Sequence, residues 1–248
     1  MSGHSKWANI KHRKAAQDAK KAKIFTKILK EITVAARIGG GDPEANPRLR
    51  IAIEKAKDNN LPKDNVDKAI KRGTGELAGV NYEEYVYEGY APNGVALLIE
   101  VMTDNKNRTG SEIRSLLSKN GGSMAEAGAV SWIFDKKGII TIEGEKEDKI
   151  MEVAIDFGAE DIETDSDIVN VYCDVNSFEE LSKKLKEVFK DKVKNSEITM
   201  VPKNTVMLED KESATKVIKL VELLEDHDDV QKVHANFDIP DSIMAQLW

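Results

Sequence analysis

The chain of 248 residues contains 40% hydrophobic and 33% charged residues, a composition typical of globular proteins in water. A single cysteine, Cys173, excludes an internal disulfide and fits a reducing compartment. Lysines and histidines interrupt the N-terminus where a secretion signal needs an apolar run. The longest apolar run, 95–102, is too short to span a bilayer. We therefore expect a cytoplasmic protein without a membrane anchor, divided into two or three small domains.

The first thirty residues are strongly basic, although the chain as a whole is acidic. They contain nine Lys or Arg and one acid, Asp18, a net charge of +8, whereas the complete chain carries −7. Phosphate backbones attract such segments and release counterions on binding, and an aromatic residue among cations can stack on a base. Residues 1–14 are therefore predicted to form a nucleic-acid-binding arm. Its candidate contact residues are Lys6, Trp7, Lys11, His12, Arg13 and Lys14.

A long helix is predicted over residues 14–38, because apolar residues and lysines both recur there at helical spacing. We expect the apolar side to pack on a core and the lysine side to face outward and contact phosphates. The alternative is an ordinary solvated charged face. The apolar side consists of Phe25, Ile28, Leu29, Ile32 and Ala36. The lysine side consists of Lys20, Lys23, Lys27 and Lys30.

Two shorter helices complete a predicted three-helix bundle. Asn46 can cap a helix with Pro47 in its first turn, and a further helical pattern begins after Leu61-Pro62 and stops at Gly73. Residues 1–72 hold 18 basic and 8 acidic residues, a net charge of +10, while the other 176 residues hold 19 and 36, a net charge of −17. This change of sign predicts a domain boundary at Gly73-Thr74-Gly75, where the glycines predict a hinge.

Short strand-like segments follow the boundary. Strands are predicted at 82–90, 95–102, 130–134 and 138–142, the last two flanking a turn at Asp135-Lys136-Lys137.

Residues 136–202 follow the order strand, helix, strand, strand, helix, strand, which is typical of a ferredoxin-like unit. The remaining tail of two strands and a helix has no partners of its own, so we expect it to pair with residues 80–134. The predicted fold is α+β and multi-domain: an N-terminal three-helix domain followed by two α+β, ferredoxin-like domains, one inserted in the other. The predicted boundaries are 1–75, 80–135 together with 203–248, and 136–202.

A polar loop at 104–109 separates a predicted strand from a predicted helix that runs through Leu117. Asn105 or Asn107 can cap this helix, and its free backbone N–H groups could meet an anion beside Arg108. Asn105, Asn107 and Arg108 are therefore candidates for a secondary anion contact. Plain helix capping is the alternative, and one capped helix can serve both purposes.

Signs of catalysis are sparse. The four histidines show no metal-ligand spacing, no Gly-x-Ser-x-Gly nucleophile motif is present, and the acidic clusters do not match a calcium-binding loop. A Ser-His-Asp site needs no adjacency in sequence and stays open. We expect no enzyme activity, no metal and no cofactor, with the acidic clusters solvated in loops.

Several motifs resemble the YebC family, which includes the mitochondrial translational activator of cytochrome c oxidase. The N-terminal segment 2–14 is similar to the family's signature, and further similar motifs recur at matching spacing along essentially the whole chain. The resemblance implies three domains without enzymatic activity. It also implies nucleic-acid binding, since family members are described as DNA-binding transcriptional regulators or as translation factors for stalled ribosomes. The further motifs are Asn46-Pro47, Asn60-Leu61-Pro62, Ile70-Lys71-Arg72-Gly73, Tyr87-Glu88-Gly89-Tyr90, Asp104-Asn105-Lys106-Asn107-Arg108-Thr109 and Gly121-Gly122.

The sequence thus predicts a non-enzymatic, nucleic-acid-binding regulator of gene expression. A translation factor that binds ribosomal RNA and relieves stalling is favoured, because an acidic bulk repels a long duplex whereas a local basic arm can enter an RNA crevice. One alternative is a DNA-binding transcriptional regulator, and another is a protein-interaction scaffold with an acidic partner. A monomer is compatible with the sequence, which leaves the oligomeric state open.

Overall fold

The structure, a computed structural model, describes residues 18–247 and the side chains of residues 22–247. Its N-terminal part contains three helices, α1 (Asp18–Gly39), α2 (Pro47–Asp58) and α3 (Lys63–Thr74). Ile28 and Ile32 of α1 are buried between the helices, as the helical spacing predicted. The expected three-helix arrangement and its apolar face are therefore confirmed.

Asn46 fixes the connection between α1 and α2. Its side-chain oxygen accepts a hydrogen bond from the Leu49 backbone N–H at 3.1 Å, which caps α2. Its amide group donates to the carbonyl oxygens of Ala35 at 2.9 Å and Gly40 at 2.8 Å. One buried side chain therefore satisfies backbone groups at the end of one helix and the start of the next.

Gly73 does not lie in a linker, contrary to the hinge expected there. It belongs to α3, and a Cβ at this position would overlap the carbonyl oxygen of Thr33 and lie 2.8 Å from the Ala36 methyl group. The glycine thus allows α1 and α3 to approach closely. Gly75, with φ 84°, is the residue that leaves the helix in the left-handed conformation.

The rest of the described chain contains two antiparallel four-stranded sheets and one short parallel pair of strands. The strands are β1 (Glu83–Tyr90), β2 (Ala96–Thr103), β3 (Ser123–Ala125), β4 (Phe134–Glu143), β5 (Ala159–Asp165), β6 (Ile168–Cys173), β7 (Val193–Pro202), β8 (Val206–Met207), β9 (Val230–Ala235) and β10 (Phe237–Asp238). The helices are α4 (Lys106–Lys119), α5 (Glu147–Ala154), α6 (Phe178–Phe189), α7 (Lys211–Glu225) and α8 (Asp241–Met244).

The first sheet has the order β3-β1-β2-β9, so the tail of the chain pairs with the segment that follows the helical domain. Leu97 of β2 lies opposite Ala235 of β9. Helices α4 and α7 contribute Leu117 and Val221 to a core that also contains Ile99 of the sheet. The predicted pairing of the tail with residues 80–134 is confirmed for β9. It is wrong for β8, which pairs with β10 inside the tail.

The second sheet has the order β5-β6-β4-β7, and each neighbouring pair is antiparallel. Strand β6 lies between β5 and β4, which is the split arrangement of a ferredoxin-like unit. Helices α5 and α6 supply Ile150 and Leu181 to its core. All four strands come from the segment between β3 and β8, so this unit is inserted in the first. The residue boundaries of the three domains stay a prediction.

The segment 130–137 differs from its prediction. Asp135-Lys136-Lys137 is not a turn but lies within β4, where Lys137 pairs with Thr199 of β7. Residues 131–133 form a short 3-10 helix rather than a strand. Glu88 accounts for the 3-10 helix, because its carboxylate accepts hydrogen bonds from the backbone N–H groups of Val130 and Ser131, which a strand would use in its ladder, and from that of the preceding Gly128.

Ion pairs connect the inserted unit both to the helical domain and to the first sheet. Helix α2 reaches α6 through Arg50 and Glu179 at 2.7 Å. The two sheets meet through Lys232 of β9 and Glu197 of β7 at 2.6 Å. None of the helices described is long and apolar enough to cross a membrane.

Replacing Gly73 with alanine is expected to destabilise the helical domain by roughly 1–3 kcal/mol, because the added methyl group would overlap the Thr33 carbonyl oxygen. Urea unfolding followed by circular dichroism measures the change. The control is Gly79→Ala, where the added methyl group would meet only the flexible Arg72 side chain. Equal stability of the two variants would contradict the close-packing role of Gly73.

Candidate nucleic-acid interface

The lysines of α1 contact the acidic loop that joins α7 to β9. The ammonium group of Lys23 lies 2.7 Å from a carboxylate oxygen of Asp226 and 3.0 Å from its backbone carbonyl oxygen. The ammonium group of Lys27 donates to the carbonyl oxygen of Glu225 at 2.5 Å. The lysine side of α1 is therefore bound to the first sheet's domain.

The position of this loop explains its attraction for cations. It follows the C-terminus of α7, where backbone carbonyl groups without helical partners carry partial negative charge. The last turn of α7 contains no basic residue of its own. Lysines from α1 supply the cations that a helix C-terminus favours. The loop adds four acidic residues, namely Glu225, Asp226, Asp228 and Asp229.

Lys30 makes the most buried of these contacts. Its ammonium group lies 2.9 Å from a carboxylate oxygen of Asp229 and donates to the Asp228 carbonyl oxygen, also at 2.9 Å. The side chains of Lys30 and Asp229 are only 9% and 8% exposed. The ring of Tyr82 lies 5.1 Å from the same ammonium group, within the range of a cation–π contact. This pair anchors the helical domain to the first sheet.

Asp229 also receives hydrogen bonds from residues of α4. Arg108 donates to it at 2.7 Å and the Thr109 hydroxyl group at 2.8 Å. Burial alone would raise the pKa of Asp229, but the hydrogen bonds from Lys30, Arg108 and Thr109 outweigh burial and hold the pKa well below its usual range. Asp229 is thus an anion at neutral pH, with cations from two elements around it.

The outward orientation predicted for the lysine side of α1 is wrong. Lys23 and Lys27 bind the 225–229 loop, and Lys30 is buried. The physical reason is charge complementarity with a segment almost two hundred residues away. The side chain of Lys20 lies outside the described residues, as does the whole predicted arm of Lys6, Trp7, Lys11, His12, Arg13 and Lys14.

The second predicted anion contact has a different arrangement from the one expected. Asn105 caps α4 by accepting a hydrogen bond from the Arg108 backbone N–H at 3.1 Å. The Arg108 guanidinium group pairs with Asp104 at 3.0 Å and with Asp229 at 2.7 Å. Asn107 lies on the exposed side of the first turn. Two carboxylates therefore occupy the arginine that would have met an anion, and the capping alternative fits the geometry better.

A cleft of about 930 Å³ lies between α1, α4 and the acidic loop. Glu112, His227 and Asp229 bring potential ligand atoms to within 4.8 Å of one another there. Their hydrogen bonds do not suit a metal: the His227 ring bonds Glu112 and the Asp229 backbone N–H, and the Asp229 carboxylate accepts from cations and hydroxyl groups. Among the described residues, this trio thus forms a hydrogen-bonded cluster rather than a ligand set.

The sequence analysis did not identify the roles of Asp229 and Arg48. Arg48 in α2 bridges Glu31 of α1 and Glu84 of β1, at 2.7 Å and 2.6 Å. These pairs join residues far apart in the chain. For Asp229, one sequence feature could have indicated the contact: the acidic run 225–229 is complementary in charge to the lysine side of α1.

Comparison with known proteins identifies a family that matches most of the chain. Residues 5–76 match the family model described as the TACO1/YebC protein N-terminal domain, and residues 82–237 match TACO1/YebC second and third domain. A protein from Halothermothrix orenii is 56% identical over 251 residues, covering 100% of this chain and 99% of its own. One from Dictyoglomus turgidum is 57% identical over 250 residues, covering 100% of both chains. Each is named "Probable transcriptional regulatory protein".

A solved structure agrees with the fold. The crystal structure of the conserved hypothetical protein Aq1575 from Aquifex aeolicus superposes with a TM-score of 0.81 and 45% sequence identity, covering 90% of this chain and 92% of that one. The chain therefore belongs to the TACO1/YebC family.

Replacing Lys30 with methionine is expected to destabilise the protein by roughly 3 kcal/mol, because it leaves a buried carboxylate without one of its two cations. Equilibrium unfolding in urea measures the change. The matched control is Lys23→Met, whose partner Asp226 is exposed, so at most about 1 kcal/mol is expected. If both variants were destabilised equally, the anchoring role assigned to Lys30 would be wrong.

The free energy of unfolding should also fall in acid. Because the pKa of Asp229 is lower in the folded than in the unfolded protein, its contribution is fully present above about pH 5 and is lost as the pH falls toward the folded-state pKa. Asp229→Asn should make the decline below about pH 5 shallower in urea titrations at several pH values. The exposed-site control Glu126→Gln should keep the wild-type slope, and an unchanged slope in Asp229→Asn would refute the assignment.

Proposed function

We propose that this member of the TACO1/YebC family is a non-enzymatic regulator of gene expression that binds nucleic acid with its N-terminal domain. The observation that supports this most is the separation of charge, +10 over residues 1–72 and −17 over the rest. A polyanion is attracted to the first part and repelled by the second. Neither the family description nor the names of the relatives mention a catalytic activity.

The arm is the proposed primary contact. In the structure, Lys23, Lys27 and Lys30 of α1 contact the 225–229 loop. They could contact phosphates only if α1 and this loop separated. In this proposal Trp7 stacks on a base, and the cations around it neutralise phosphates. These cations are Lys6, Lys11, Arg13 and Lys14, and His12 is a further contact residue. Lys20 extends this proposed surface onto α1.

Folded ribosomal RNA is the target that the charge distribution favours. Acidic domains would repel a long duplex lying across the protein, whereas a short basic arm can enter a crevice with unpaired bases. Lysine acts chiefly as a point charge and recognises base edges with less geometric specificity than arginine, asparagine or glutamine. In this proposal the protein acts in translation, on stalled ribosomes, in the cytoplasm.

DNA is the second candidate, and a separate observation favours it. Relatives that are more than 50% identical over at least 99% of their length are named "Probable transcriptional regulatory protein". A regulator of this kind would bind an operator far more tightly than random duplex. An acidic protein partner, the remaining alternative, would stay bound after nuclease treatment of a purified complex.

Replacing Trp7 with alanine is expected to weaken ribosome binding by roughly 1–3 kcal/mol, the energy of one stacked base, and to change duplex-DNA affinity little. Titrations of both ligands at one fixed salt concentration measure this. Trp132→Ala is a matched control, since Trp132 is 63% exposed but lies outside the basic domain.

Two results would contradict the translational proposal. One is that Trp7→Ala binds ribosomes as tightly as the wild type, or that Trp132→Ala weakens ribosome binding as much as Trp7→Ala does. The other is a thousandfold preference of the wild-type protein for one DNA operator over random duplex, which would favour the transcriptional candidate.

A further inference from the structure

Several cations of the helical domain are bonded within the protein, and others are not. Six of them, on α1 and in the first turn of α2, are bonded within the protein; they are Lys23, Lys27, Lys30, Arg37, Arg48 and Arg50. Helix α3 differs. Its Lys68, Lys71 and Arg72 are exposed and form no ion pair or side-chain hydrogen bond with any residue in the described part of the chain.

These three side chains share one side of α3. At 3.6 residues per turn they lie within a sector of about 100°. Val66 and Ala69 lie on the opposite side and are buried against the other helices. Gly73, pressed against α1, fixes the same orientation. The stripe of Lys68, Lys71 and Arg72, here called the α3 stripe, therefore faces away from the domain core.

Two stabilising effects within a helix could explain why cations occupy these positions of α3, but only one of them operates here. Lys71 and Arg72 lie in the last turn, where cations complement the helix dipole. Asp64 and Asp67 stand four residues before Lys68 and Lys71, a spacing suited to helical ion pairs. Neither ion pair forms, so the cations stay available to an external anion.

We propose that the α3 stripe is a second phosphate-binding surface and that its ligand is the backbone of folded ribosomal RNA. This inference rests on the proposed function and extends it to a surface outside the arm and α1. The stripe spans five residues, about 6 Å along the helix axis, which suits one or two neighbouring phosphates. Asp64 and Asp67 on the preceding turn and Glu76 beyond the helix limit it to a short contact, which suits a local RNA crevice better than a long duplex.

The test compares two triple variants with the same change in total charge. The first is Lys68→Gln, Lys71→Gln, Arg72→Gln. The matched control removes exposed lysines from the acidic domains: Lys119→Gln, Lys183→Gln, Lys219→Gln. Circular dichroism and thermal unfolding check that both fold, and each is titrated with salt-washed ribosomes at several salt concentrations, with random duplex DNA as a second ligand.

The stripe variant is expected to bind ribosomes roughly 5- to 25-fold more weakly near 0.1 M salt, the loss of one or two phosphate contacts, and the salt slope should fall by about 0.7 for each phosphate that the variant no longer neutralises. The control should bind as the wild type does. Lys68→Arg with Lys71→Arg keeps the charges and should keep the affinity.

Three outcomes separate the possible failures. Wild-type binding that both triple variants retain equally overturns the α3 stripe while leaving the proposed function in place. The stripe also fails if its removal weakens duplex-DNA binding but not ribosome binding. If the wild-type protein binds neither ribosomes nor their protein-free RNA, the proposed function fails and the α3 stripe falls with it.

Discussion

The buried pair of Lys30 and Asp229 is the interaction on which the arrangement of this protein depends. Asp229 accepts hydrogen bonds from Lys30 of α1 and from Arg108 and Thr109 of α4, so one carboxylate joins two parts of the chain that are almost two hundred residues apart. A buried carboxylate is tolerated only with such partners. The same contact turns the lysine side of α1 inward. Together with the contacts of Lys23 and Lys27, it removes this side of α1 from the exposed basic surface.

The local features of the fold were predictable from sequence, because neighbouring residues determine them. The Asn46 cap, the apolar side of α1 and the strand and helix order of 136–202 follow from spacing and capping rules, and the structure contains each. The segment 130–137 was mispredicted. The conformation at its start depends on the Glu88 carboxylate, which lies about forty residues earlier in the chain and accepts hydrogen bonds from the backbone N–H groups of Val130 and Ser131 and of the preceding Gly128.

The candidate site was less predictable, for the same reason. Helical spacing places Lys23, Lys27 and Lys30 on one side of α1 but does not say which distant segment will pack there. The acidic run 225–229 resembled a solvated loop, although its charge complements that stripe and follows a helix without a basic last turn. The opposite charges of the lysine side of α1 and the acidic run 225–229 could have predicted that these two segments contact each other. Charge complementarity also distinguishes the unpaired α3 stripe from the cations bonded within the domain.

The proposed binding of ribosomal RNA by the basic N-terminal domain can be measured by sedimenting the purified protein with ribosomes through a low-salt sucrose gradient, with a parallel sample treated with RNase. We expect the protein to sediment with the ribosomes at low salt, to be released as salt rises, and to return to the top of the gradient after RNase treatment. If the protein stays at the top of the low-salt gradient and binds one DNA sequence tightly in solution, the proposal is wrong.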